Sequence, residues 1–115
     1  MIKVHVKRRA SGDIESFTID GHAGFADPGH DIVCAAVSGI SFGTINAIDM
    51  LLGVQLPVQQ GESGFLRCSV PDRIPVGQEK VQLLLDGMVA SLQSVAIEYG
   101  KFVRIHDQKP TRRWM

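Results

Sequence analysis

"DIVCAAVSGISFGTINAIDMLLG", Asp31 to Gly53, is the stretch on which the fold turns. Apolar residues recur in it at helical spacing, with a carboxylate at its head and a glycine at its foot. Asp31 reads as an N-cap, placed to accept hydrogen bonds from orphan backbone N–H groups of the first turn. Gly53 reads as the left-handed residue that ends the helix. The helix is therefore expected over Ile32 to Leu52. Ala35, Ala36, Ser38, Gly39, Ser41 and Gly43 are all small, and a glycine inside a helix costs about 1 kcal/mol relative to alanine. The expectation is a central helix, buried on most sides, with another backbone packed closely against it. Polar breaks such as Asn46 and Asp49 mark it as a core helix and not a membrane span.

Upstream the period changes. Ile2, Val4 and Val6 alternate with Lys3, His5 and Lys7, which predicts a half-buried strand over 2–9. Ser11 to Asp13 reads as a turn, and Ile14 to Asp20 as the returning strand with Phe17 and Ile19 inward. Downstream, Val54 to Gln60 and Phe65 to Val70 read as two strands joined by the Gly61–Gly64 turn. Pro57 favours an edge position for the first of them. A second helix is expected from Gln78 to Tyr99, with Val81, Leu84, Leu85, Met88, Val89, Leu92, Val95, Ala96 and Tyr99 on one stripe and Gly100 as its C-cap. Phe102 to Ile105 is a last short strand. The order β-β-α-β-β-α-β predicts an α+β fold, a mostly antiparallel sheet with two helices packed on it as a sandwich. Residues 1–108 form a single domain, and 109–115 a basic tail.

The 115 residues carry 12 Lys and Arg against 12 Asp and Glu. Zero net charge argues against an electrostatic grip on nucleic acid or a membrane surface. Lys109, Arg112 and Arg113 read as a solvated tail. No secretory signal pattern follows Met1, so the expectation is a cytoplasmic protein whose two cysteines, Cys34 and Cys68, are free thiols. Cys68 alternates with Leu66 and Val70 and reads as core. His5 and His106 have nothing near them in sequence to recruit them.

Cys34 is the third residue of the first helix, where unpaired N–H groups and the helix dipole favour a thiolate. His22 ends the second strand, twelve residues upstream. The loop between them, Ala23, Gly24, Phe25, Ala26, Asp27, Pro28, Gly29 and His30, is rich enough in glycine to fold back. A cysteine nucleophile with a histidine general base fits this spacing. The backbone N–H groups of Ile32, Val33 and Cys34 are candidates for an oxyanion hole, and the 23–30 loop for a mobile lid. Asp31 can orient His22 as well as cap. Ser38 lies one helical turn beyond Cys34, on the same face. The residues alone leave other readings open. Cys34 also fits a small buried hydrophobe, His22 a loop histidine bonded to a carbonyl, and His30 a solvated one. A low-pKa thiol also suits a redox sensor. His22, His30 and Cys34, with Asp31 or Cys68, match no standard zinc spacing, so no metal or other cofactor is expected.

The longer stretch "DGHAGFADPGHDIVCAAVSGISFGTINAI", Asp20 to Ile48, resembles the signature of the ribosomal-processing cysteine proteases, the Prp family. The resemblance extends to the element order and to "MVASLQSVAIEYG" in the second helix. It implies a His22–Cys34 catalytic dyad with Gly21, Asp31 and Ser38 beside it. It implies a homodimer of sandwich-fold subunits. It further implies removal of the N-terminal leader of a large-subunit ribosomal protein, L-twenty-seven, during ribosome assembly, at an apolar cleft that admits aromatic side chains. A non-enzymatic peptide-binding or redox-sensing assembly factor is the alternative.

Overall fold

The computed structural model describes residues 1–27, 30–62 and 64–108. Expectations placed on Pro28, Gly29 and the 109–115 tail lie outside the described residues. Five strands and two helices follow the expected order: β1 (Ile2–Arg8), β2 (Ile14–Asp20), α1 (Ile32–Leu52), β3 (Val58–Gln60), β4 (Leu66–Ser69), α2 (Gln78–Glu98) and β5 (Val103–Asp107). The sheet order is β3-β4-β2-β1-β5. Three of its four pairings are antiparallel, and β5 joins the far edge parallel to β1, Ile2 opposite Val103 and Val6 opposite Asp107.

Strict alternation in β1 sends Ile2, Val4 and Val6 inward, where they meet Phe17 and Ile19 of β2 across the ladder. Val33, Val37 and Ile48 of α1 and Val81, Leu85, Met88, Val89 and Leu92 of α2 close the same core. Both helices therefore share one side of the sheet, a two-layer sandwich. Cys68 is wholly buried in this core.

Several boundaries move for physical reasons. β3 starts at Val58 and not Val54, because Pro57 has no N–H to pair. Its carbonyl still accepts from Ser69 N–H at 3.0 Å, and the strand lies at the sheet edge as its proline requires. Gly100 is not the C-cap of α2. Tyr99 fills that position at φ −122°, its N–H on the Val95 carbonyl. Gly53 caps α1 as expected, at φ +68°.

The largest correction concerns α1. Only Val33, Val37, Ser41 and Ile48 of this helix are buried, so it is not enclosed on most sides. Gly39 and Gly43 face open space, and Met50 and Leu51 are exposed. By length and composition alone both α1 and α2 are apolar enough to cross a membrane. In the fold each lays one face on the sheet.

The sheet end away from α1's N-terminus is tied by polar groups. Arg8 of β1 bonds Asp107 of β5 through two nitrogens at 2.8 and 2.9 Å, and reaches Asp86 of α2 at 3.0 Å. Buried Gln82 of α2 pairs with both backbone groups of Ile14.

Candidate active site

At the other end, β2 runs out at Asp20 and the chain turns sharply at Gly21, φ +96°. A Cβ on Gly21 would stand 2.4 Å from the Met1 carbonyl oxygen, so only glycine passes here. The turn delivers His22 to the rim of a cleft of about 610 Å³. Ile2, Ile19 and Val37 form its apolar floor, and His22, Cys34, Ser38, Asp31, Gly24 and Gly64 line it. His22 and Cys34 thus share one cleft, with Ser38 on the same wall. They make no direct hydrogen bond to each other; catalytic pairs are often loose before substrate binds. His22 is exposed and Cys34 half-buried.

Asp31 does more than cap the helix. Its Oδ1 accepts from Val33 N–H and Cys34 N–H, both at 3.0 Å. Its Oδ2 accepts from Phe25 N–H at 3.0 Å and Ala26 N–H at 3.4 Å. One carboxylate therefore fastens the glycine-rich loop to the helix start. Burial works to raise the pKa of Asp31. The N–H groups of Cys34, Ala26 and Phe25, with the Cys34 thiol alongside, outweigh it and hold the carboxyl below its ordinary value. The loop is fastened a second time by Phe25, whose ring meets Tyr99 and Phe102 edge-on at 5.9 and 5.3 Å. His30 is exposed and its N–H bonds the Asp27 carbonyl at 2.9 Å.

The three backbone donors expected to form an oxyanion hole are corrected by this geometry. Val33 and Cys34 N–H groups are spent on Asp31, and Ile32 N–H is the one of the three with no acceptor among the described residues. A donor not anticipated from sequence stands in their place. Ala23 N–H points at Cys34 Sγ at 3.3 Å.

Gly64 is the second residue that sequence reasoning missed. It sits at the β3–β4 turn with φ +76°, and a Cβ there would stand 2.6 Å from the Gly21 carbonyl oxygen and 3.6 Å from His22 Cε1. The hairpin tip therefore backs the histidine directly. Its only sequence signal is a glycine in a turn, which does not say what the turn touches. No cluster of three or more His, Cys, Asp or Glu side chains able to hold a metal is present among the described residues.

A thiol at a helix start and an imidazole lining the same apolar cleft define a cysteine-hydrolase type of site. The chain matches the family Cysteine protease Prp over residues 1–104, and it belongs to that family. It is 36% identical over 107 residues to the ribosomal processing cysteine protease Prp of Bacillus subtilis, covering 91% of this chain and 96% of that one. It is also similar to the crystal structure of the Prp protease from S. aureus with a covalently linked product peptide. That match has a TM-score of 0.81 and 30% identity, over 94% of this chain and all of that one. A second S. aureus structure, in complex with a substrate peptide, superposes at a TM-score of 0.80, with 30% identity over the same shares of the two chains. The protein is a cysteine protease.

Proposed function

We propose that this protease acts in ribosomal processing, cutting the N-terminal leader from a large-subunit ribosomal protein, L-twenty-seven, with Cys34 as nucleophile and His22 as general base. The observation that carries the reading is the single cleft holding both side chains, with Ala23 N–H directed at Cys34 Sγ. The thiol proton passes to His22 as Sγ bonds to the scissile carbonyl carbon. His22 returns that proton to the departing amine as the C–N bond breaks, leaving a thioester. Water, deprotonated by His22, then hydrolyses the thioester and restores the thiol. The Ile32 N–H, which has no acceptor among the described residues, and the Ala23 N–H, which points at Cys34 Sγ, are assigned to the oxyanion. Gly21 supplies the turn that presents His22, Asp31 holds loop and helix together, and Ser38 lines the groove. The 23–30 loop must part from Asp31 or from the Tyr99–Phe102 notch to widen the groove, which gives it the role of a lid.

The protein is proposed to work as a cytoplasmic homodimer. Ile32, Ala35, Gly39, Gly43 and Met50 form an uncovered stripe of small and apolar residues along α1, and a second copy would cover it. Met50→Glu should shift the species seen by analytical ultracentrifugation from dimer to monomer.

The test of the activity is mass spectrometry of a peptide spanning the leader junction, incubated with wild type, Cys34→Ser or His22→Ala. One cut by wild type, and none by either variant, is expected. Cleavage at the wild-type rate by either variant rules the dyad out.

A further inference from the structure

The sheet has a second face that no helix covers. Arg67, Thr18, His5 and His106 stand across it in one register row, and Lys3 and Arg104 side by side in the next. Lys7 continues the β1 series. All but Thr18 are exposed. Lys7 is paired with Glu15 at 3.0 Å, whereas Lys3, Arg67 and Arg104 make no ion pair among the described residues. Asp20 stands opposite Lys3 in the Lys3–Arg104 row, and Glu15 borders the face beside Lys7. The His5 and His106 rings stack at 4.8 Å between centroids and 10° between planes. Zero net charge over the chain therefore conceals a basic platform, because β1, β4 and β5 are distant in sequence and each contributes cations to the same side.

We propose that this open sheet face binds RNA through its sugar–phosphate backbone. Lys3, His5 and Lys7 are set two residues apart, about 6.6 Å, a step comparable to that between successive phosphates of one strand. Among the described residues the face offers no exposed apolar side chain to enter a bilayer, which sets it apart from a lipid-binding surface. The proteolytic cleft opens on the helix side, so RNA and peptide can be held together. The choice of RNA over DNA rests on the ribosomal-processing reading, since ribosomal proteins assemble on RNA, and not on charge. The proposal runs against the expectation, drawn from net charge, of no direct nucleic-acid contact.

The test is fluorescence anisotropy with a labelled RNA hairpin and a DNA hairpin of the same sequence, using the full chain. Three phosphate contacts predict that affinity falls by about 20- to 40-fold between 50 and 200 mM salt. The Lys3→Glu, Arg67→Glu, Arg104→Glu triple variant should bind RNA at least about tenfold more weakly while cutting the leader peptide at the wild-type rate. Its Gln counterpart serves if charge reversal disturbs folding. No RNA binding by wild type at 50 mM salt overturns the proposal, as does equal binding by the triple variant. So does tighter binding of the DNA hairpin or of a polyglutamate peptide. Loss of peptide cleavage in wild type, with RNA binding intact, would instead count against the protease substrate and leave the face standing.

Discussion

Gly64→Ala is the sharpest probe of how the site is held. Gly64 has φ +76°, a region where an L-residue costs about 1–2 kcal/mol. Its new Cβ would lie 2.6 Å from the Gly21 carbonyl oxygen. Real contacts need at least 3.0 Å, so Gly21 must yield by about half an ångström. It has little room to do so, because the Met1 carbonyl oxygen already stands 2.4 Å from where a Cβ on Gly21 would lie. The displacement passes to the next residue, His22, whose ring is also touched by the new methyl. A misplacement of about 1 Å in a reacting group costs about a hundredfold in rate, and half of that about tenfold. Gly53→Ala is the control: it has nearly the same φ, +68°, with nothing within 4 Å. Both variants should lose about 1–2 kcal/mol, a fall in Tm of roughly 4–8 °C. Only Gly64→Ala should lose about tenfold or more in kcat/KM on the leader peptide. Wild-type kcat/KM in Gly64→Ala would refute the claim that the hairpin tip positions His22.

Other consequences follow from the polar groups. The Asp31 carboxyl is held below its ordinary value of 3.8, so its ionised form stabilises the fold above that pH and the contribution disappears as pH falls through the lowered value. Chemical denaturation of wild type and Asp31→Asn should therefore show a gap at pH 6 that closes toward pH 2. Burial pushes the Cys68 thiol up to about 11. Iodoacetamide at neutral pH should label Cys34 and spare Cys68 until the protein is unfolded, as peptide mapping would show. The raised pKa stabilises the fold fully below pH 9, and that advantage over Cys68→Ala is lost as pH climbs through 11. Arg8 and Asp107 have side chains only 7% and 2% exposed, so Asp107→Ala leaves the buried Arg8 cation with the exposed Asp86 as its one remaining ion-pair partner among the described residues and should cost about 3 kcal/mol in urea unfolding.

The sequence determined what neighbours along the chain can enforce. Alternation in Ile2–Val6 sets which side of β1 is inward, since the strand period is two whatever lies beside it. Asp31 and Gly53 bound α1 because caps act on residues two to four positions away. Cys34 at a helix start and His22 at a strand end were legible for the same reason. Tertiary structure alone decided which distant segments meet. A strand pattern names a face but no partner, so the parallel β5–β1 pairing and the stacking of His5 on His106 were hidden. Spacing placed Asp31 at the cap but could not show its second oxygen gathering Phe25 and Ala26, nor that the cap consumes the very N–H groups first assigned to an oxyanion. Small residues in α1 suggested an enclosing neighbour, but glycine only permits close approach and does not supply the partner, and within one chain Gly39 and Gly43 face open space. Charge summed along the chain cancels, whereas charge on a folded surface is sorted by strand register, and that sorting made the basic face.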